Sequence, residues 1–167
     1  MTTVNNLLSV ITFSAALGSG LMAGLFFVFS NSVMKALAAL PPDKGIAAMQ
    51  AINVAIVNPL FLAVFLGTAA ACLPATIFAL ARWHDPASAC LLVGSVLYLV
   101  GGVLVTMVFN VPRNDALAAI DPASAAGASV WRDYLVTWTA WNHVRTLATL
   151  AAAAVFTLAF RQLSPEG

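Results

Sequence analysis

Four long apolar stretches dominate the sequence and restrict what the chain can fold into. A helix that crosses a bilayer needs about 20 apolar residues. The stretches of that order are Leu7–Phe29, Pro59–Ala81, Ala89–Phe109 and Val144–Phe160. Charged residues make up 8% of the 167 residues, whereas ordinary soluble domains carry about 25%. We therefore predict an all-α integral membrane protein, a four-helix bundle that forms a single membrane domain over residues 1–167.

The remaining composition excludes several functional classes. The net charge is +1 and there is no basic stripe, so we expect no nucleic-acid partner. Cys72 and Cys90 fall at different depths in two apolar stretches, which favours free buried thiols. We expect neither a metal nor a cofactor, because the sequence has no Cys, His or carboxylate set at metal-ligand spacing and no Gly-rich phosphate loop. The N-terminal apolar stretch exceeds the roughly 7–15 residues of a signal-peptide core, so we interpret it as a retained helix.

The connections between the apolar stretches are unequal in length. Arg82–Ser88 is a tight hairpin, whereas Ser30–Asn58 and Asn110–His143 are long. Proline-containing breaks that favour helix starts occur at Pro41-Pro42, Asp121-Pro122 and Asn58-Pro59. We predict that both long connections contain short helices that lie at one membrane face.

The two halves of the chain resemble each other at an offset of 80 residues. Phe29 aligns with Phe109, the segment 36–40 aligns with 116–120, and Pro42 aligns with Pro122. We predict two helical-hairpin repeats, residues 1–86 and 87–167. Because each repeat contributes two spans, both keep the same orientation, with a pseudo-two-fold axis along the membrane normal.

Basic residues are the usual guide to membrane orientation. Five of the seven lie on the side of the long connections, which favours a cytoplasmic location for that side. Three of the five, Arg113, Arg132 and Arg145, could be buried in the fold. Each side would then carry two basic residues, so the orientation stays open. We expect a multi-pass protein of a bacterial inner membrane.

Polar and aromatic residues concentrate where the chain enters the fourth apolar stretch. If residues 131–149 form one helix, spacings of three and four place six of them on a single face. Aromatic side chains beside polar ones are typical of a small-molecule pocket. The six residues are Trp131, Tyr134, Trp138, Asn142, Arg145 and Thr149.

These residues have structural interpretations as well. Trp83 and Trp131 are equally well explained as anchors at the membrane interface. Arg145, just inside an apolar stretch, is a functional candidate by default. It could instead form a salt bridge with Asp115 or Asp133, or extend to the surface.

Histidine and asparagine residues are similarly ambiguous. His143 is the best available general base, yet a lone histidine is more often structural. Asn31, Asn53 and Asn58 are either polar site residues from the first half or cap and turn residues.

Three motifs in the second half resemble the anthrone oxygenase-like family of small four-helix membrane proteins. The motifs are Asn110-Val111-Pro112-Arg113-Asn114-Asp115-Ala116-Leu117, Trp131-x-x-Tyr134, and Trp138-Thr139-Ala140-Trp141-Asn142-His143-Val144-Arg145-Thr146. The resemblance covers nearly the whole chain. It implies a cofactor-independent oxygenase or oxidase that acts on a hydrophobic phenolic or anthrone-like aromatic molecule.

The resemblance supplies positions, and residue chemistry suggests their roles. On this hypothesis His143 is the base, Asn142, Asn110 and Arg145 stabilise an oxyanion, and Trp138 and Trp141 hold the ring. We count His143, Arg145 and Asn142 as catalytic. The candidate substrate-binding residues are Asn110, Asn114, Asp115, Trp138, Trp141 and Tyr134.

A second hypothesis is a non-enzymatic membrane module that binds a small lipophilic ligand or a membrane protein partner. A transporter ranks lower, because the sequence has no pair of broken mid-membrane helices. The expected partners are therefore a small hydrophobic molecule and the lipid bilayer, and assembly into a homo-oligomer stays open.

Overall fold

The computed structural model describes residues 2–163, with side chains from residue 4 onward. This part of the chain is entirely helical apart from short turns. In chain order the helices are α1 (Thr2–Val28), α2 (Met34–Ala38), α3 (Pro42–Ile56), α4 (Pro59–Ala81), α5 (Ser88–Val96), α6 (Val111–Ala118) and α7 (Gly127–Leu163). Widened π-helical segments join α1 to α2 (Phe29–Val33) and α5 to α6 (Leu97–Leu104 and Thr106–Asn110).

Between residues 2 and 163, four continuous helical stretches are long and apolar enough to cross a membrane, which confirms a multi-pass membrane protein. They are Val4–Ala38, Pro59–Ala81, Ser88–Ala118 and Gly127–Leu163. The second has the predicted bounds. The other three extend beyond their apolar stretches, because a helix already formed continues through polar residues of adequate helix propensity until a turn ends it.

The first long connection contains α3, as predicted from its prolines. Pro42 stands in the first turn of α3, where its missing N–H is not needed. Asn58 caps the start of α4, since its Oδ1 accepts a hydrogen bond of 3.0 Å from the Phe61 amide. This cap turns the chain from α3 back into the membrane.

The second long connection contains the short helix α6, but the predicted helix start at Asp121-Pro122 is wrong. Asp121 Oδ1 accepts a 3.0 Å hydrogen bond from the Ala123 amide, which forms a turn that competes with a helix. The Ser124 hydroxyl also donates to the Asp121 carbonyl. The next helix begins at Gly127 and continues without a break to Leu163.

Helix α2 ends at Ala38 and α6 ends at Ala118, a separation of 80 residues that equals the sequence offset. Gln50 of α3 joins the two halves here, because its Nε2 donates to the carbonyls of Leu117 and Ile120 at 2.9 Å each. The two-fold repeat stays a prediction.

The core has two apolar parts along α7. In one, Tyr98, Phe156 and small side chains such as Ala75 pack between α1, α4, α5 and α7. In the other, methionine, leucine and isoleucine side chains of α2, α3 and α6 pack against the α7 aromatic residues Trp131, Tyr134 and Trp138. The buried polar residues Asn142, Arg145, Thr146 and Thr149 lie between these two parts.

Candidate functional site

A cavity of about 110 Å³ lies beside Arg145, between the two apolar parts of the core. Its size is enough for several water molecules or part of a small ligand. Apolar side chains form most of its wall, and a few polar groups interrupt them. We call it the central cavity; it is lined by Leu25, Phe26, Phe29, Asn53, Ile56, Val57, Phe61, Thr106, Val111, Asn114, Trp138, Asn142 and Arg145.

Arg145 is a buried cation without a neighbouring carboxylate. Its side chain is 5% exposed, which excludes extension to the surface. Among the described residues the one ion pair joins Lys44 to Asp43, so the alternative of a salt bridge from Arg145 to Asp115 or Asp133 is wrong. A buried charge is costly unless it is paired, and the described part of the chain supplies no counter-charge.

Neutral groups hold the Arg145 guanidinium in place. Its Cζ lies 4.2 Å from the centroid of the Phe26 ring and 5.3 Å from that of Trp138, in cation–π contacts that suit a desolvated cation. Nη1 donates to the Thr106 hydroxyl at 3.1 Å, and Nη2 donates to Asn142 Oδ1. Arg145 Nε is buried and has no hydrogen-bond partner within the described residues.

Asn142 fixes the orientation of this cation. Its Nδ2 donates to the Phe26 carbonyl at 2.7 Å and to the Ser30 hydroxyl at 2.6 Å. Both acceptors belong to the first spanning stretch, so one buried amide ties α7 to α1. Because both N–H groups of the Asn142 amide point toward the first spanning stretch, the amide oxygen faces Arg145.

Trp138 contributes an aromatic wall and a second unsatisfied donor. Its ring lies 5.9 Å from that of Phe29, centroid to centroid, and its indole Nε1 is buried without a hydrogen-bond partner in the described part of the chain. Buried donors normally have partners. Three donors without partners among the described residues, Arg145 Nε, Trp138 Nε1 and Asn53 Nδ2, therefore belong to side chains that line one cavity.

The structure confirms the predicted shared face on α7, because Trp131, Tyr134, Trp138, Asn142, Arg145 and Thr149 are all buried on one continuous helix. It also brings several predicted site residues together: Trp138, Asn142, Arg145 and Asn114 line the central cavity.

Two further predicted residues stand behind the cavity wall. The Tyr134 hydroxyl donates to Asn114 Oδ1 at 2.8 Å. Asn110 Nδ2 donates to the Trp138 carbonyl at 3.2 Å. Both residues are buried, and they position cavity residues rather than lining the cavity themselves.

The structure does not bring His143, Trp141 or Asp115 into the cavity lining. Successive helix residues differ in direction by about 100°, so His143 points away from Asn142. Its side chain is exposed. Trp141 instead stacks on Phe109 at 3.5 Å between centroids and 6° between planes, and Asp115 is exposed.

His143 lines a separate surface depression between α1, its π-helical extension and α7, which we call the α1–α7 groove. Ser30 and Thr146 form its buried side. Ser30 also accepts the hydrogen bond from Asn142, so a single layer of side chains separates groove and cavity. The other lining residues are Phe27, Asn31, Lys35, His143 and Leu147.

Sequence reasoning missed Phe26, Ser30 and Thr106. A hydroxyl in a spanning helix usually returns to its own backbone, as the Thr106 hydroxyl does to Gly102 O at 2.7 Å, so nothing distinguished it. Ser30 and Thr106 both lie in π-helical segments, which often occur at functional sites but are not visible in sequence. Of the three ambiguous asparagines, Asn53 lines the cavity, Asn31 lines the groove and Asn58 is a helix cap.

Among the described side chains, no three His, Cys, Asp or Glu residues are grouped closely enough to hold a metal ion. Both Cys72 and Cys90 are free thiols; Cys72 is buried, as predicted, whereas Cys90 is half-buried.

Comparison with known proteins gives one match. A family model described as anthrone oxygenase matches residues 55–155, more than half of the chain. The matched region contains Asn114, Trp138, Asn142 and Arg145 but not the cavity residues contributed by α1. No curated protein matches the chain, and no solved structure matches it.

Proposed function

Because the chain belongs to the anthrone oxygenase family, we propose that it is a membrane-embedded, cofactor-independent oxygenase of a hydrophobic phenolic or anthrone-like aromatic molecule. The substrate binds in the central cavity, which it reaches from the bilayer. The observation that carries the proposal is the buried Arg145 guanidinium, which has no carboxylate partner and an unpaired Nε.

The polar groups of the cavity suit an oxyanion. Arg145 Nε and Trp138 Nε1 are donors without partners among the described residues, and an ionised ring oxygen would accept from both. Charge-assisted hydrogen bonds of this kind are about twice as strong as neutral ones. Because the Arg145 guanidinium is already held in place by Thr106 and Asn142, such bonds stabilise developing negative charge without reorganisation.

The apolar wall suits a flat ring system. Phe29, Phe61 and Trp138 line the cavity together with aliphatic side chains of α1 and α3. Aromatic side chains bury a large apolar area against a planar ligand and favour stacked or edge-to-face contacts with it. The ring would then lie with its oxygen toward Arg145.

The reaction converts a ring CH₂ group and O₂ into a ketone and water. Loss of one proton from the CH₂ carbon gives a carbanion, whose charge is delocalised onto the ring oxygen beside Arg145. The carbanion passes an electron to O₂, which gives a carbon radical and superoxide. These two radicals then combine through a new C–O bond. Protonation gives a hydroperoxide; loss of the second C–H proton and cleavage of the O–O bond leave the ketone and release water.

Arg145 is the catalytic residue in this scheme, because it touches the oxygen on which charge develops. Asn142 is a positioning residue, since it holds the guanidinium. Asn114 and Trp138 bind the substrate, while Asn110 and Tyr134 support them from behind. Among the described residues no Asp, Glu or His lines the cavity, so in this scheme the substrate proton passes to water and exposed His143 is not the base.

The test is O₂ uptake by purified protein in lipid nanodiscs, with an anthrone as substrate and quinone formation followed by absorbance. We expect Arg145→Gln to lower kcat/KM about 10- to 100-fold, the loss typical of a hydrogen bond to a charged group. Arg132→Gln is the matched control, because Arg132 lies on the same helix but is exposed. Equal rates in wild type and Arg145→Gln would contradict the proposal.

A second candidate is a binding module that holds a lipophilic phenol without turnover. The absence of a carboxylate or imidazole from the cavity lining favours it. It predicts Arg145-dependent binding of an anthrone or phenol with no O₂ uptake above the buffer rate, so the same experiment separates the two functions.

A further inference from the structure

The α1–α7 groove has the polarity of a lipid-binding site. Phe27 of α1 and Leu147 of α7 form its apolar end, and their side chains are 56% and 68% exposed. Asn31, Lys35 and His143 lie further toward the long connections. Because α1 and α7 pack along each other in opposite directions, both helices change from apolar to polar at the same end of the groove.

The polar end carries positive charge and no negative charge. Lys35 has an ammonium group, and His143 adds a second positive charge when protonated. No Asp or Glu among the described residues lines the groove. Among the described residues the one ion pair joins Lys44 to Asp43, so Lys35 has no carboxylate partner there.

Neutral donors complete the polar end. The exposed Asn31 amide carries two donors. The Ser30 hydroxyl accepts from Asn142 Nδ2 at 2.6 Å, which leaves its own proton free to donate. An ammonium group, an amide and a hydroxyl are together suited to the several acceptor oxygens of a phosphate.

We propose that the α1–α7 groove binds the phosphate headgroup of an anionic phospholipid, with an acyl chain along Phe27 and Leu147. Charge complementarity selects the anionic class, because the cationic headgroup of a zwitterionic lipid would find no carboxylate in the groove. The polar end of the groove continues into an exposed apolar end, which favours a lipid over a free anion as the ligand. This inference does not depend on the proposed oxygenase activity.

The proposal is tested by native mass spectrometry of the full-length protein, released from detergent after equilibration with equal amounts of phosphatidylglycerol and phosphatidylcholine of identical acyl chains. We expect wild type to retain phosphatidylglycerol in preference. Lys35→Gln should weaken that binding about fivefold, as expected for one basic group near a lipid surface. Adding His143→Gln should remove the remaining preference.

Lys44→Gln is the matched control, because Lys44 is an exposed lysine of the same connection that lies outside the groove. It should leave phosphatidylglycerol binding unchanged. Equal retention of the two lipids by wild type would overturn the proposal, as would equal losses in Lys35→Gln and Lys44→Gln. Displacement of the lipid by millimolar inorganic phosphate would also overturn it, in favour of a soluble anion.

Discussion

The Arg145 guanidinium donates a hydrogen bond to the side-chain oxygen of Asn142, one helical turn earlier on α7. The same Asn142 amide donates to Phe26 and Ser30 of the first spanning stretch. The cation is therefore oriented by a buried amide that is itself fixed by another helix. Such an arrangement orients the charge without neutralising it among the described residues.

Replacing Arg145 should not destabilise the ligand-free protein. A buried charge without a counter-charge opposes folding, and the glutamine amide in Arg145→Gln can still donate to Asn142. We expect a Tm at least equal to that of wild type, measured by thermal unfolding in detergent.

Asn142→Leu is the informative comparison. It leaves Arg145 Nη2 without the acceptor that Asn142 provides, which should cost about 1–3 kcal/mol. A larger drop in Tm for Arg145→Gln than for Asn142→Leu would mean that Arg145 is a structural residue.

Trp138→Phe should weaken binding of an oxygen-bearing ring ligand while preserving the aromatic wall. The change removes an indole N–H that has no partner in the described part of the chain. A hydrogen bond contributes about 0.5–1.5 kcal/mol, so Kd for a redox-inert hydroxyanthraquinone should rise roughly 2- to 12-fold. Trp141→Phe, on the same helix but outside the cavity lining, should leave Kd unchanged; an equal rise would argue against the indole contact.

His143→Gln tests whether His143 is the general base, as residue chemistry suggests, or whether the substrate proton passes to water, as the cavity-based scheme requires. Because His143 is exposed on the groove, we expect a much smaller fall in kcat/KM than in Arg145→Gln when both are assayed in one lipid mixture. Loss of O₂ uptake in His143→Gln, with anthrone binding intact, would restore the histidine as the proton acceptor.

Gly94→Ala should destabilise the helix bundle. A Cβ at this position would lie 2.9 Å from Cε1 of Phe156, whose fully buried ring cannot move freely. Overpacking of this kind costs about 1–3 kcal/mol, measurable as a lower Tm. Gly67→Ala is the control, since nothing lies within 4 Å of its added Cβ, and it should be neutral or slightly stabilising.

The sequence predicted the spanning helices well because hydrophobic length is a local property. Pro59–Ala81 was predicted to the residue, whereas Asn58 was left open between a polar site residue and the helix cap that it forms. The shared face of Trp131 to Thr149 followed from helical periodicity. The helix start at Asp121 failed because a side-chain turn competes with capping, and local sequence is compatible with either.

The sequence by itself determined the membrane architecture, the helix that carries the site and the side chains on its buried face. Only the tertiary structure decided which of those side chains share a cavity. Periodicity fixes directions around one helix but not the distances to others. It therefore could not show that Phe26, Ser30 and Thr106 meet Asn142 and Arg145, that Arg145 lacks a carboxylate, or that His143 faces a separate groove.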